Sequence, residues 1–215
     1  MHPLPKFAIS RAASSALVFT LTFTLLFTFL AASPLLAAPD PLPRQSRPQL
    51  ADSMEKKITS VKENGAKERP DKRTTVFQQD EINAYFAERR LTMPDGVRSV
   101  VFTLGPNQVR AQARIDFDDI TRNRRTHNPL MYLFTGVHNV EVSARTAPAG
   151  AGMVHVAVES VTIDGVTVPR MALQFFIDRF VTPKYPKVGL DRDYRLPAKM
   201  DAVVIAKAKG TVTQK

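Results

Sequence analysis

Asp116-Phe-Asp118-Asp119 sets three carboxylates within four residues. Oxygen donors at that density suit a hard divalent cation, and Asp116 and Asp118 share one face if the stretch is a strand. The plainer reading, an exposed acidic strand end, is preferred, so no metal site is assigned. Beyond residue 38 the histidines are His127, His138 and His155. His138 and His155 fall on the polar phase of alternating segments, which marks them as solvated rather than as ligands. An enzyme acting on wall polymer or lipid would have to bring together at least two of Asp116, Asp118, His127, Glu141 and Asp164. Their spacing singles out no acid–base pair. The chain contains no G-x-S-x-G, H-E-x-x-H, P-loop or G-x-G-x-x-G pattern. With no Cys, disulfides, thiolate catalysis, Cys-ligated zinc, iron–sulfur clusters and lipidated cysteine anchors are excluded. No catalytic residue and no cofactor is assigned, and the chain reads as a non-enzyme.

Two other stretches carry chemistry of a different kind. Arg122-Asn-Arg124-Arg125-Thr-His127 runs directly into Asn128-Pro-Leu130-Met-Tyr-Leu133-Phe134. Cations beside a compact apolar group can meet phosphates while the apolar group enters lipid. A short helix plugging a sheet is the structural alternative. Met171–Val181 places Leu173, Phe176, Ile177 and Phe180 on one side of a helix, broadened by Met171 and Phe175. Such a stripe is normally core. It becomes a binding wall only where a facing sheet stands off from it.

The elements that would hold these residues begin with an address. Residues 1–38 hold Lys6 and Arg11 and no acid, and Ala12–Ala38 runs for 27 residues without a charge. A basic start, an apolar middle and small residues at Ala37 and Ala38 form a secretory signal, although Leu35 or Leu36 occupies the −3 position. The run is long enough to span a bilayer of about 30 Å, so an uncleaved anchor with its N-terminus in the cytoplasm is the alternative. The net charge is +10, and outside the cytoplasm it meets anionic headgroups or wall polymers rather than nucleic acid.

Residues 39–75 carry nine Lys/Arg, six Asp/Glu and five Pro with few large apolar side chains. This composition predicts a flexible, Pro-stiffened spacer, with a weak helical pattern at Met54, Ile58 and Val61. One domain over 76–215 follows. Val76–Leu91 reads as a helix whose stripe is Ile82, Tyr85 and Phe86, stopped by Pro94-Asp95-Gly96. Val97–Leu104 reads as a strand, then Gly105-Pro106-Asn107 as a turn. Val109, Ala111, Ala113, Ile115 and Phe117 alternate with polar residues, a strand with one wet face. Val140, Val142 and Ala144 alternate likewise, and Ala147–Gly152 is a hairpin loop. Val154, Val156 and Val158 change phase to Val161 and Ile163, which predicts a bulge at Glu159–Ser160. After the Met171–Val181 helix, a loop through Asp191–Asp193 leads to a last strand, Met200–Ala208, buried on both faces over Ala202–Ala206. The class is α+β: a curved antiparallel sheet wrapped around one or two helices, preceded by the signal or anchor helix and the spacer.

Asp80-Glu-Ile-Asn-Ala-Tyr-Phe86, Pro94-x-Gly-Val97, the Asn107–Phe117 strand, Val161-x-Ile-Asp-Gly-Val166-x-Val-Pro169 and Leu196-Pro197 together resemble exported lipid-binding proteins of the LmeA and YceB types, over about residues 76–208. The resemblance implies a half-barrel of antiparallel strands around a long helix, an apolar groove for acyl or isoprenoid chains, a periplasmic location and no catalytic residues. The chain departs from it in two ways. YceB-type proteins are lipoproteins, whereas this chain has no Cys, so any tether would be residues 12–38. The charged stretch 39–75 is also longer than the resemblance implies.

The expectation is a non-enzymatic cell-envelope protein that binds a lipid or other apolar small molecule at a membrane surface. Phe86, Leu130, Leu133, Phe134, Phe176, Ile177 and Phe180 would line the groove, and Arg122, Arg124 and Arg125 would meet headgroups. The alternative is a membrane-tethered scaffold that binds another envelope protein through a filled domain. No nucleic-acid partner is expected.

Overall fold

A computed structural model of the chain describes residues 48–121 and 135–215. The signal or anchor segment 1–38, the first part of the spacer, and Arg122, Arg124, Arg125, Leu130, Leu133 and Phe134 lie outside the described residues. Among the described residues, no helix is long and apolar enough to cross a membrane.

Helix α1 spans Pro48–Ala66. Pro48 suits the first helical position, where its missing N–H costs nothing. Ala51, Met54, Ile58 and Val61 then recur at helical spacing, and all four are buried or partly buried. The spacer expectation is therefore corrected from Pro48 onward. Charge outnumbers large apolar residues here, but the charges occupy the outer face and the narrow stripe is enough once a core receives it. Gly65 closes the helix against the 196–199 turn, where an added Cβ would lie 2.2 Å from the Ala198 carbonyl oxygen. Beside it, the buried Asn64 amide accepts from the Asp71 N–H at 3.0 Å and donates to the Asp71 carbonyl at 2.9 Å.

Strand β1, Arg73–Gln78, precedes helix α2, Gln79–Ala87. Val76 and Phe77 thus belong to a strand and not, as expected, to the helix. The helix starts where the Glu81 carboxylate reaches back to the Gln78 N–H at 2.9 Å, a capping contact three residues away. Glu81 is also tied to α1 by Lys57 Nζ at 2.6 Å and Ser53 Oγ at 2.6 Å. Burial alone raises the Glu81 pKa, but Lys57, Ser53 and the Gln78 N–H together outweigh it and hold the carboxyl below its ordinary value.

Strands β2 (Val97–Gly105), β3 (Gln108–Asp116), β4 (Val137–Pro148) and β5 (Met153–Ile163) form an antiparallel meander. The alternation in β3 holds: Val109, Ala111, Ala113 and Ile115 are buried and the intervening residues are not. The bulge falls where the phase change placed it. Ser143 pairs with Ser160 and Ala144 with Val158, leaving Glu159 as the extra residue. Val154, Val156, Val158, Val161 and Ile163 consequently all reach the core. Asp164-Gly165, both at positive φ, turns the chain into the short strand β6, Val166–Val168.

The free edge of β2 is covered by side chains. Asn83 accepts from the Phe102 N–H at 2.7 Å and donates to the Phe102 carbonyl at 2.9 Å. Gln79 Oε1 accepts from the Leu104 N–H at 2.7 Å.

A short helix α3, Phe117–Thr121, follows β3. Helix α4, Arg170–Phe176, continues as a π-helical turn over Ile177–Val181. The expected 171–181 helix is present, with its last turn widened. Strand β7, Asp191–Arg195, pairs with the first half of β5 while β6 pairs with the second half. The Asp191–Asp193 loop expectation is thereby corrected: an edge strand tolerates charges on its exposed positions. Strands β8 (Met200–Ala206) and β9 (Lys209–Gln214) complete a second sheet in the order β1-β9-β8. The last expected strand therefore ends at Ala206 and turns back. It is not buried on both faces, since Val204 is 52% exposed at the edge of this sheet. Core residues of both sheets and of α1, α2 and α4 belong to one continuous apolar cluster.

Candidate functional site: an apolar cleft between sheet and helix

The core is not filled everywhere. A cleft of about 70 Å³ opens between the buried face of the meander and the α4–π segment. Its floor is Val97, Ile115, Val140, Val142, Val161 and Ile163. These are the same-face positions of β2 to β5, so the period-2 pattern and the Glu159 bulge together make the floor apolar. Its wall is Leu173, Phe176, Phe180 and Val181. The Thr182 N–H bonds to the Ile177 carbonyl at 2.8 Å, the longer-loop bond of the π turn that carries Phe180 and Val181. Widened turns of this kind concentrate at functional sites. Phe117 stacks edge-on against Phe176 at 5.7 Å, and Phe176 lies 5.2 Å from Phe180.

The rim is formed by Pro94, Asp95, Ile120, Lys184 and Tyr185. Lys184 Nζ donates to Asp95 Oδ2 at 2.7 Å, and both side chains remain substantially exposed. These are the two charged groups among the lining residues. Burial is the main influence raising the Tyr185 hydroxyl above its ordinary pKa.

Of the residues expected to line a groove, Phe176 and Phe180 do so. Ile177 is fully buried in the core and Phe86 packs edge-on against Phe102 at 5.0 Å; neither lines the cleft. Lys184, Tyr185 and Asp95 were not anticipated. Asp95 reads in sequence only as part of a helix stop, and Lys184 and Tyr185 only as a proline-flanked connection.

The acidic and histidine residues singled out in sequence are distributed over separate contacts. Asp116 and Asp119 each hold Arg98 Nη2, at 2.7 and 2.6 Å, and Asp116 Oδ1 accepts the Asp118 N–H at the start of α3. The Arg98 hydrogen bond is the main influence that depresses the Asp116 pKa. Glu141 meets Gln112 and Arg110 on the wet sheet face. His155 lies between Asp193, at 2.7 Å, and Asp191, at 3.1 Å, fastening β7 to β5. His138 Nδ1 meets Asp164 Oδ2 at 2.5 Å and its Nε2 meets the Thr135 carbonyl at 2.6 Å. Both partners accept hydrogen bonds, so the imidazolium form satisfies both contacts. Asp116, Asp118, Glu141 and Asp164 are not among the cleft's lining residues. His127 lies outside the described residues. Among the described residues, no group of three or more acids and histidines is placed to hold a metal ion.

Comparison of the chain with family models, with curated proteins and with solved structures gives no match.

Proposed function

We propose that this chain is an exported, non-enzymatic protein that binds an apolar ligand, a lipid or a related amphiphile, in the cleft between the meander and the α4–π segment, with the sheet curving around that segment. One observation carries the reading: a lining in which the charged groups are a single pair at the rim. An apolar cavity of about 150 Å³ is known to accept benzene. By proportion, this cleft takes roughly three carbons of a chain, worth about 2 kcal/mol at about 0.8 kcal/mol per methylene. The ligand therefore seats the end of a hydrocarbon chain or a short chain, and further affinity comes from contacts at the rim. Export rests on residues 1–38, and the resemblance to LmeA- and YceB-type proteins points the same way.

The test is binding of a fluorescent fatty acid to the purified protein, with solvent extraction and mass spectrometry of what co-purifies. Binding that is lost in Ile163→Trp, a variant that fills the floor, is the expected result. No binding and no extracted lipid would remove the reading.

The scaffold alternative draws on Val166 and Met171, which are 67% and 78% exposed near the start of α4. It predicts an envelope-protein complex that survives Ile163→Trp and is lost in Val166→Ser/Met171→Ser.

A further inference from the structure

We infer that Lys184 is an anion seat at the rim of the cleft, and that the ligand class is an amphiphile carrying a carboxylate head on a hydrocarbon tail. This rests on the apolar-ligand reading above and specifies it.

The argument starts from what the rim offers. An ammonium has three N–H donors and no acceptor, and among the described residues the Lys184 ammonium makes one hydrogen bond, to Asp95 Oδ2. Lys184 therefore keeps donor capacity at the mouth of an otherwise apolar cleft. The Lys184–Asp95 pair joins exposed side chains, and such pairs are weak because water solvates both partners well. A second carboxylate, brought in by burial of its own tail, competes with Asp95 on favourable terms. Tyr185, the next residue, also lines the cleft. Charge in this stretch is biased the same way: Arg179, Lys184 and Lys187 against Asp178, within a chain of net charge +10. A local positive potential raises the concentration of anions at the mouth. Asp95 is the element that restrains this preference.

The test uses calorimetric titration of the full chain with butanoate, butanol and butyltrimethylammonium, which share a short tail matched to the cleft and differ in head charge. Butanoate is expected to bind about fivefold tighter than butanol, the scale of one favourable exposed ion pair. In Lys184→Met that ratio falls to about one, whereas in Asp95→Asn it rises. Lys187→Met, a nearby exposed lysine outside the lining, keeps the wild-type ratio. Equal binding of butanoate and butanol by the wild-type chain overturns the inference, as does a ratio unmoved by Lys184→Met. Tightest binding of butyltrimethylammonium also overturns it, because Asp95 would then be the seat. In each of these cases the tail still binds and the apolar-ligand reading stands. Failure of all three ligands to bind removes that reading and this inference together.

Discussion

Asn83 offers the sharpest test of how the fold is held. Its side chain is 6% exposed and makes two hydrogen bonds with one residue, 2.7 Å from the Phe102 N–H and 2.9 Å to the Phe102 carbonyl. It thus occupies the place of a neighbouring strand along the edge of β2. In Asn83→Ala both backbone groups lose their partner in a region from which water is excluded. Each buried orphan costs about 1–3 kcal/mol, so the expected loss is about 2–6 kcal/mol. That is a large share of the 5–15 kcal/mol typical of a domain. Asn83→Asp keeps the acceptor for the Phe102 N–H but sets a carboxylate against the Phe102 carbonyl, so at pH 7 it is expected to do no better than alanine. Protonating that carboxyl restores a donor. Because burial against an acceptor raises its pKa in the folded state, part of the loss should return as the pH falls, and that recovery should be complete by about pH 4. The assay is urea unfolding followed by far-UV circular dichroism, where the midpoint should fall with little change in slope. Uncovering β2 also exposes an edge that pairs with other chains, so Asn83→Ala should self-associate more readily than Gln79→Ala, which removes a single contact. An Asn83→Ala midpoint shift equivalent to less than about 0.5 kcal/mol, the usual surface value, would refute the edge-cap argument.

Three further outcomes follow from contacts already described. Gln214 is 1% exposed and bonds to the Val61 and Ala198 carbonyls and to Asn64; Gln214→Ala should cost about 3 kcal/mol, at about 1 kcal/mol per bond, read from the urea midpoint. Lys57→Met leaves the buried Glu81 carboxylate without its cation and should cost about 1–3 kcal/mol at pH 7. Because Lys57 helps hold the Glu81 pKa down, the gap between wild type and variant should close as the pH drops through the carboxylate range. His138 has a raised pKa, chiefly from its hydrogen bond to Asp164, and Asp164 a lowered one, chiefly from His138. The His138 contribution is complete below about 6.5 and is lost as pH rises through its elevated folded value. The Asp164 contribution is complete above about 3.9 and is lost as pH falls through its depressed folded value. The thermal midpoint of wild type minus that of His138→Gln should therefore peak between these limits. A flat difference curve would show that the pair is not coupled to folding.

Where structure depends on local pattern, the residues announce it. The alternation of β3, the hairpin after Pro148 and the bulge at Glu159 are all written in the order of apolar and polar side chains. The α4 stripe is written the same way, and it supplied Phe176 and Phe180 to the cleft. Elements whose stability comes from distant partners leave no such trace. Strand β9, Lys209–Gln214, has a single large apolar residue, Val212, and forms because β1 and β8 flank it. Strand β7 is charged at Asp191, Arg192, Asp193 and Arg195, and only its pairing with β5 makes it a strand. The buried amides of Asn64, Asn83 and Gln214 look like surface residues in sequence, because their partners are backbone groups or amides brought close only by the fold. The rim of the cleft was hidden for the same reason: Asp95 and Lys184 are 89 residues apart.

The pairing of β1 with β9 has a consequence for biogenesis. Asn64 and Gln214 touch across 150 residues of chain, and Arg73 faces Gln214 in the second sheet. A polypeptide emerging from the ribosome presents β1 long before β9 exists. Loop closure over such a span is entropically costly and slow, and a half-made chain in that condition is vulnerable to aggregation. Strand β9 thus acts as the latch of the second sheet, joining β1 to β8 only once the far end of the domain has been made.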